Sequence, residues 1–217
     1  MNELEHPLER TKISEKDIFF KLLISPREAF KFINDYKYEK HLYILLFLAG
    51  MVRTFDRAST KNMGDNYSIW TIIAICVIFG GLFGWITYYI YSALISWTGS
   101  WMNGKGNTQS ILRVFAYAFF PSIFILILLI PQIAIYGNEL FKSDNDLYNL
   151  VSTESIVLYI ILFVEFALGI WSLVLCVIGI SEVQKLSIGK SILNLLLPAI
   201  LFVFIILVLV FLFQVID

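Results

Sequence analysis

Four long stretches with almost no formal charge constrain the fold of this 217-residue chain more than any other feature. They cover approximately residues 69–95, 111–135, 155–180 and 191–216. A helix that crosses ~30 Å of hydrocarbon at ~1.5 Å per residue needs about 20 mostly apolar residues, and each stretch reaches that length. The sequence therefore predicts an all-α protein, a bundle of helices that span a membrane.

A fifth, shorter apolar segment runs from Leu42 to Val52. By length alone it would suit a re-entrant or interfacial helix. With snorkelling side chains at its ends, residues 41–55 would instead form a short tilted span. Under either count, 12 of the 16 Lys and Arg residues fall on the N-terminal side of the membrane. The positive-inside rule thus predicts a cytoplasmic N-terminus and leaves the choice between four and five spans open.

Composition argues against several classes of protein. The chain is 59% hydrophobic and 15% charged, whereas soluble domains are about 25% charged. Its net charge of −1 provides no basic field for nucleic acid. Cys76 and Cys176 lie in apolar runs without metal-ligand spacing, so we expect no metal and no cofactor. The chain has two histidines and no HExxH, GxSxG or GxGxxG motif, so we do not expect an enzyme.

Residues 1–40 are expected to form a cytoplasmic tail ahead of a transmembrane domain at 41–217. The tail holds eight basic and eight acidic residues. Ser14 and Ser25 each precede apolar residues at helical spacing, and Ser25 is followed by Pro26 and Glu28, a typical helix start. We therefore predict two short amphipathic helices, which lie against lipid headgroups or against the bundle. A helical cap that packs only on its own protein is the alternative.

Short segments follow one another in a characteristic order along nearly the whole chain. They are Ser25–Glu28, Met51–Asp65, Gly104–Gly106, Leu112–Pro121, Trp171, Ser181–Glu182 and Gly189. Together they resemble prokaryotic members of the Yip1 family. The resemblance implies five membrane-spanning helices and a cytoplasmic N-terminus. It also implies a motif at the cytoplasmic rim, formed by Gly104, Lys105, Gly106, Arg113, Tyr117 and Pro121.

The resemblance also bears on partners. Eukaryotic members of the family are associated with early secretory membranes and with Rab-type GTPases. The eukaryotic signature Asp-Leu-Tyr-Gly-Pro is absent from this chain, so a Rab-type partner is not expected.

Glu165 is the single charge within residues 155–180. A carboxylate in a membrane costs roughly 2.5 kcal/mol or more and is a functional candidate by default. Ser172, Thr87 and Tyr91 are candidates for the same polar site. Small residues extend two stripes, Gly169 and Gly179 within residues 155–180 and Gly80 and Gly84 within residues 69–95. This spacing predicts that these two helices pack closely against each other.

The depth of Glu165 limits its partners. It lies 15 residues from Ile180, or about 22 Å at ~1.5 Å per residue, whereas Arg113 lies within the first turn of its span. The two should not meet, and hydroxyl groups such as those of Thr71 or Thr87 are the expected donors. Glu165 is then a neutral packing contact, a proton or cation site, or a subunit contact.

A dense group of polar residues follows the short first segment: Arg53, Asp56, Arg57, Asn62 and Asp65. Five-span topology places them in an outer loop. Asp56 is expected to pair with Arg53 or Arg57, and a ligand or cation site is the alternative. Arg113 is expected to meet lipid phosphate or to cap a helix. Pro121, Pro131 and Pro198 are expected to kink their helices.

Two functions remain open at this point. The first is a non-enzymatic scaffold or adaptor of the bacterial cytoplasmic membrane, which organises that membrane together with a membrane-protein partner or as a homo-oligomer. The second is a small ion, proton or solute transporter centred on Glu165.

Overall fold

The computed structural model describes residues 17–144 and 153–216. Within these two ranges the chain forms helices and connecting turns, and no strand. The predicted helix start at Ser14 lies outside the described residues.

Two short helices come first, α1 at Ile18–Ile24 and α2 at Pro26–Asp35. Their apolar stripes face the protein: Ile18, Leu22, Ala29, Phe30 and Ile33 are at most 1% exposed. These side chains belong to the same apolar core as residues of the later helices. The two helices therefore dock on the bundle.

The second long helix follows α3, which spans Leu42–Thr60 and is described below, and is continuous from Ile69 to Ser100. Its winding changes in the middle. It consists of α4 at Ile69–Ile75, a π-helical segment at Cys76–Gly81 and α5 at Leu82–Ser100. A π-helical turn inside an α-helix often accompanies an unusual packing requirement. Here it coincides with buried Gly80 and Gly81.

The helical segment that follows, Thr108–Tyr136, is here called the third segment, and it is broken into pieces near Pro121. It consists of α6 at Thr108–Ala118, α7 at Phe120–Ile123 and α8 at Ile125–Tyr136. The chain leaves helical geometry at Phe119, because proline cannot donate the next backbone hydrogen bond. Every residue of α6 from Ser110 to Ala118 is buried, so this helix lies in the interior of the bundle. Pro131 and Pro198 lie inside helices that continue past them.

The short first segment forms α3, which spans Leu42–Thr60 and continues five residues beyond the predicted end. Its 19 residues measure about 28 Å. Just before its first residue, Glu39 contacts Arg113 of α6, and near its end the Ser59 hydroxyl donates at 3.1 Å to the carbonyl of Leu140, which lies four residues past α8. α3 therefore runs in the same direction as the third segment and packs against α6 and α7.

Two long helices complete the chain, α9 at Thr153–Gln184 and α10 at Ile188–Ile216. Among the described residues, four helical stretches are long and apolar enough to cross a membrane. They are Ile69–Ser100, Phe120–Phe141, Ile156–Gln184 and Ile188–Leu212. Their outward surfaces are rich in exposed Leu, Ile, Val and Phe side chains, as a lipid environment requires.

Candidate functional site

A cavity of about 370 Å³ lies between α3, α8 and α9. It reaches from Ser59 and Thr60 at the end of α3 to Glu165 in α9. Its walls are mostly apolar. Its polar lining consists of Asp56, Ser59, Thr60, Gln132 and Glu165.

Glu165 is held in this cavity by Gln132 of α8. The Gln132 side-chain amide donates a hydrogen bond to Glu165 Oε1, and Gln132 is only 4% exposed. The expected hydroxyl donors were wrong, because Thr71 pairs with Ser68 and Thr87 is exposed. A lone glutamine in an apolar span was the sequence signal for this partner, since an amide in hydrocarbon also needs a polar neighbour.

Asp56 lines the same cavity as Glu165, which the sequence did not indicate. Because the apolar run ends at Val52, the sequence predicts a loop position for Asp56. Instead α3 continues to Thr60 and places Asp56, an exposed residue, in the wall of the cavity. The predicted ion pair is wrong, because the ion pairs formed by the described residues do not include one between Asp56 and Arg53 or Arg57.

A second cavity of about 490 Å³ adjoins the first and shares Val52, Asp56 and Ile125 with it. Arg53 lines this second space and lies over an aromatic ring, with its guanidinium carbon 5.9 Å from the centroid of Tyr88. A cation in this position is attracted by the negative face of the ring. Arg53 is therefore stabilised without an acidic partner.

Ser172 of α9 has a structural role at the broken helix. Its Oγ accepts a hydrogen bond from the Ser122 backbone N–H at 3.2 Å, next to Pro121. Broken membrane helices need such side-chain partners for their backbone groups. Tyr91 donates to the Leu195 carbonyl of α10 instead. Glu165, Ser172, Thr87 and Tyr91 thus do not form one cluster.

The predicted packing of the second long helix against α9 through their glycines is wrong. Gly80 and Gly84 pack against Gly50 of α3: a Cβ on Gly84 would lie 2.6 Å from Gly50 Cα. On α9, a Cβ at Gly169 would meet nothing within 4 Å, and one at Gly179 would meet Val114 of α6 and Phe30 of α2. Gly80, Gly84 and Gly179 thus mark close contacts, but with other helices, and Gly169 marks none.

The Gly104-Lys105-Gly106 segment surrounds Gln184, the last residue of α9. The Gln184 side chain accepts from the Gly106 N–H at 2.9 Å and donates to the Ile95 carbonyl at 3.3 Å. The Lys105 N–H donates to the Gln184 carbonyl at 3.0 Å. A Cβ on Gly104 would lie 2.9 Å from the Gly99 carbonyl oxygen. The segment therefore acts through its backbone, and the glycines leave space for Gln184.

Arg113 lies in the protein interior and does not face lipid phosphate. It is 5% exposed, and its guanidinium is 2.8 Å from the carboxylate of Glu39. Gln109 donates to the same oxygen at 3.2 Å. Tyr117, one turn further along α6, is fully buried against α1, with its ring centroid 6.3 Å from that of Phe19. These residues of the rim motif fix the N-terminal helices to the bundle.

The turn after α3 forms a separate polar cluster at the opposite end of the bundle. Asn62 has φ of 51°, a left-handed conformation that asparagine tolerates better than most residues. Asp65 accepts from the Ser143 N–H at 3.0 Å, and hydrogen bonds from the side chain and then the backbone of Ser143 hold the pKa of the Asp65 carboxyl below its ordinary value. Arg57 is exposed. Asn62 and Asp65 therefore shape a turn and do not join Asp56 in the cavity.

The described residues do not bring together three or more His, Cys, Asp or Glu side chains that could hold a metal ion. The cavity near Glu165 offers two carboxyl groups, an amide and hydroxyl groups. Such groups bind protons, hydrated cations or polar solutes.

Comparisons with known proteins identify the family. Neither the curated proteins nor the solved structures gave a match. The family model of the Yip1 domain matches residues 20–210, nearly the whole chain. The long apolar helices agree with this match. The chain is thus an integral membrane protein and belongs to the Yip1 domain family.

Proposed function

We propose that the protein is a non-enzymatic scaffold or adaptor of the bacterial cytoplasmic membrane. The observation that carries this proposal is the docking of the N-terminal helices. Phe30 of α2 is fully buried and lies next to Gly179 of α9, so α2 has a fixed place on the bundle. Its outer face is polar and exposed, with Arg27, Lys31 and Asp35. A fixed polar surface beside the membrane suits the binding of a membrane-protein partner or a second copy of the chain.

Photo-crosslinking in intact cells tests the adaptor role. A photoreactive side chain at Lys31 should give a reproducible protein adduct of one size. The same group at Lys61, which is exposed at the opposite end of the bundle, is the matched control. Adducts absent from Lys31, or equal at both positions, would count against the proposal.

The proposed topology has five spans and a cytoplasmic N-terminus, with residues 1–40 as the tail and 41–217 as the transmembrane domain. Support comes from α3, whose length of about 28 Å approaches the ~30 Å of a hydrocarbon core. Its two ends also lie beside opposite ends of the third segment.

Thiol labelling from one side of the membrane tests this topology. The introduced cysteines are Lys31→Cys and Lys61→Cys, and the native Cys76 and Cys176 are buried. A membrane-impermeant maleimide should label position 61 in intact spheroplasts and position 31 only after the membrane is opened. Labelling of both positions in spheroplasts would contradict five spans.

A second candidate function is a small ion, proton or solute transporter. The cavity lined by Asp56 and Glu165 favours it, because its lining, as far as the described residues form it, contains two carboxyl groups and no Lys, Arg or His. Flux in reconstituted vesicles should then fall in Glu165→Gln and Asp56→Asn. A flux that both variants leave unchanged would reject this mechanism and leave the adaptor role untouched.

A further inference from the structure

We propose that α1 is a membrane-interface helix whose outer face is immersed in lipid. α1 has two apolar faces. Ile18 and Leu22 are fully buried against the bundle, while Phe20 and Ile24 are each 64% exposed and Leu23 is 39% exposed. The exposed positions follow helical spacing and form one face. A second apolar face on a docked helix requires a second apolar environment.

The position of α1 indicates which environment this is. The ring of Phe19 lies 4.6 Å from the ring of Phe120, the first residue of the apolar helical stretch Phe120–Phe141. The ring of Phe120 lies in turn 5.3 Å from that of Phe124, which is exposed on the outer surface of that stretch. A continuous aromatic surface therefore connects α1 to the lipid-facing side of the bundle.

α2 shows the contrasting arrangement. It buries Ala29, Phe30 and Ile33 and exposes charged side chains, as a helix between protein and water does. α1 carries one basic residue within its seven, Lys21, which lies 3.4 Å from Glu28 of α2. The charged end of Lys21 is thereby directed towards the polar helix, as expected where a long basic side chain reaches from an apolar layer to the headgroups.

The bilayer is therefore the occupant of the outer face of α1. Aromatic and aliphatic side chains at the boundary between headgroups and acyl chains stabilise such helices. This inference goes beyond the adaptor role. It places α1 at the boundary between headgroups and acyl chains and α2 in the water beside it.

Spin-label accessibility tests the inference on the full chain in phosphatidylcholine–phosphatidylglycerol vesicles. Nitroxides are placed at Phe20→Cys and Ile24→Cys, and unsubstituted protein labelled in parallel gives the background from the two buried native cysteines. Ile127→Cys, on the exposed surface of α8, is the lipid reference, and Lys31→Cys on α2 is the water reference.

The expected result is high accessibility to oxygen and low accessibility to a water-soluble nickel chelate at positions 20 and 24, as at position 127. Accessibility to the nickel chelate equal to that at position 31 would overturn the proposal. Low accessibility to both reagents would also overturn it, because another protein chain would then cover the face.

Discussion

The Glu39 carboxylate and the Arg113 guanidinium lie 2.8 Å apart, although 74 residues separate them in the sequence. Glu39 belongs to the link between α2 and α3, and Arg113 to the buried α6. The pair joins the N-terminal helices to the interior of the bundle. Because the Arg113 side chain is only 6% exposed, its buried positive charge would be costly without this partner.

Glu39→Gln should lower the stability of the protein. The buried Arg113 would lose its charged partner, at a cost of about 2 kcal/mol, since half-exposed Glu39 is partly screened by water. The thermal unfolding midpoint in detergent should fall by several degrees. The control is Glu28→Gln, because Glu28 forms an exposed ion pair with Lys21 at 3.4 Å. Equal midpoints for the two variants would show that Arg113 does not need Glu39.

The stabilisation by Glu39 should also depend on pH. The hydrogen bond from Gln109, followed by the hydrogen bond and charge of Arg113, lowers the pKa of Glu39 from 4.5. A lowered folded-state pKa means that the stabilisation is complete above the unfolded value and is lost as the pH falls through the folded value. The difference in midpoint between the unsubstituted protein and Glu39→Gln should therefore shrink below pH 4.5. A difference that stays constant down to the acid limit would contradict this assignment.

The long helices could be predicted from the sequence, because a run of apolar residues is a local property that is visible without knowledge of the fold. The sequence did not predict which helices touch. Arg113 looked like a lipid-facing residue because nothing local shows that the distant Glu39 will cover it. Asp56 looked like a loop residue because the apolar run stops at Val52, whereas tertiary packing extends α3 to Thr60. The partner of Glu165 was equally a matter of packing between distant helices.

Gly84→Ala should destabilise the contact between the second long helix and α3. The new Cβ would lie 2.6 Å from the Cα of Gly50, and a backbone atom cannot move aside as a flexible side chain can. We expect a cost of about 3 kcal/mol, at the upper end of overpacking effects, and a lower unfolding midpoint. Gly169→Ala is the control. Its Cβ would meet nothing within 4 Å, so better helix propensity should stabilise it by up to about 1 kcal/mol.

The backbone role of the rim segment predicts different effects at two adjacent residues. Gly104→Ala should destabilise, because its Cβ would lie 2.9 Å from the Gly99 carbonyl oxygen and would also press on the Gln184 side chain. Lys105→Ala should change stability by no more than about 0.5 kcal/mol, because the Lys105 side chain is exposed and its N–H bond remains. Thermal melts of both variants in detergent measure the effects. A larger loss in Lys105→Ala than in Gly104→Ala would assign the segment a side-chain role instead.

Gln132→Leu should lower the stability of the protein, because Glu165 would lose the amide that donates a hydrogen bond to it. Leucine has a similar size and suits the apolar walls, so the change removes the hydrogen bond to Glu165 without opening a large gap. A carboxyl group left without its donor in such a cavity costs about 1–3 kcal/mol, and the unfolding midpoint should fall accordingly. Adding Glu165→Gln to this variant should recover part of the loss, because a neutral amide is less costly in apolar surroundings than a carboxylate.

The control is Gln214→Leu, which changes an exposed residue near the end of α10 and should leave the midpoint unchanged. If Gln132→Leu also leaves it unchanged, water or another donor must satisfy Glu165, and the cavity is wetter and more open than its apolar walls suggest.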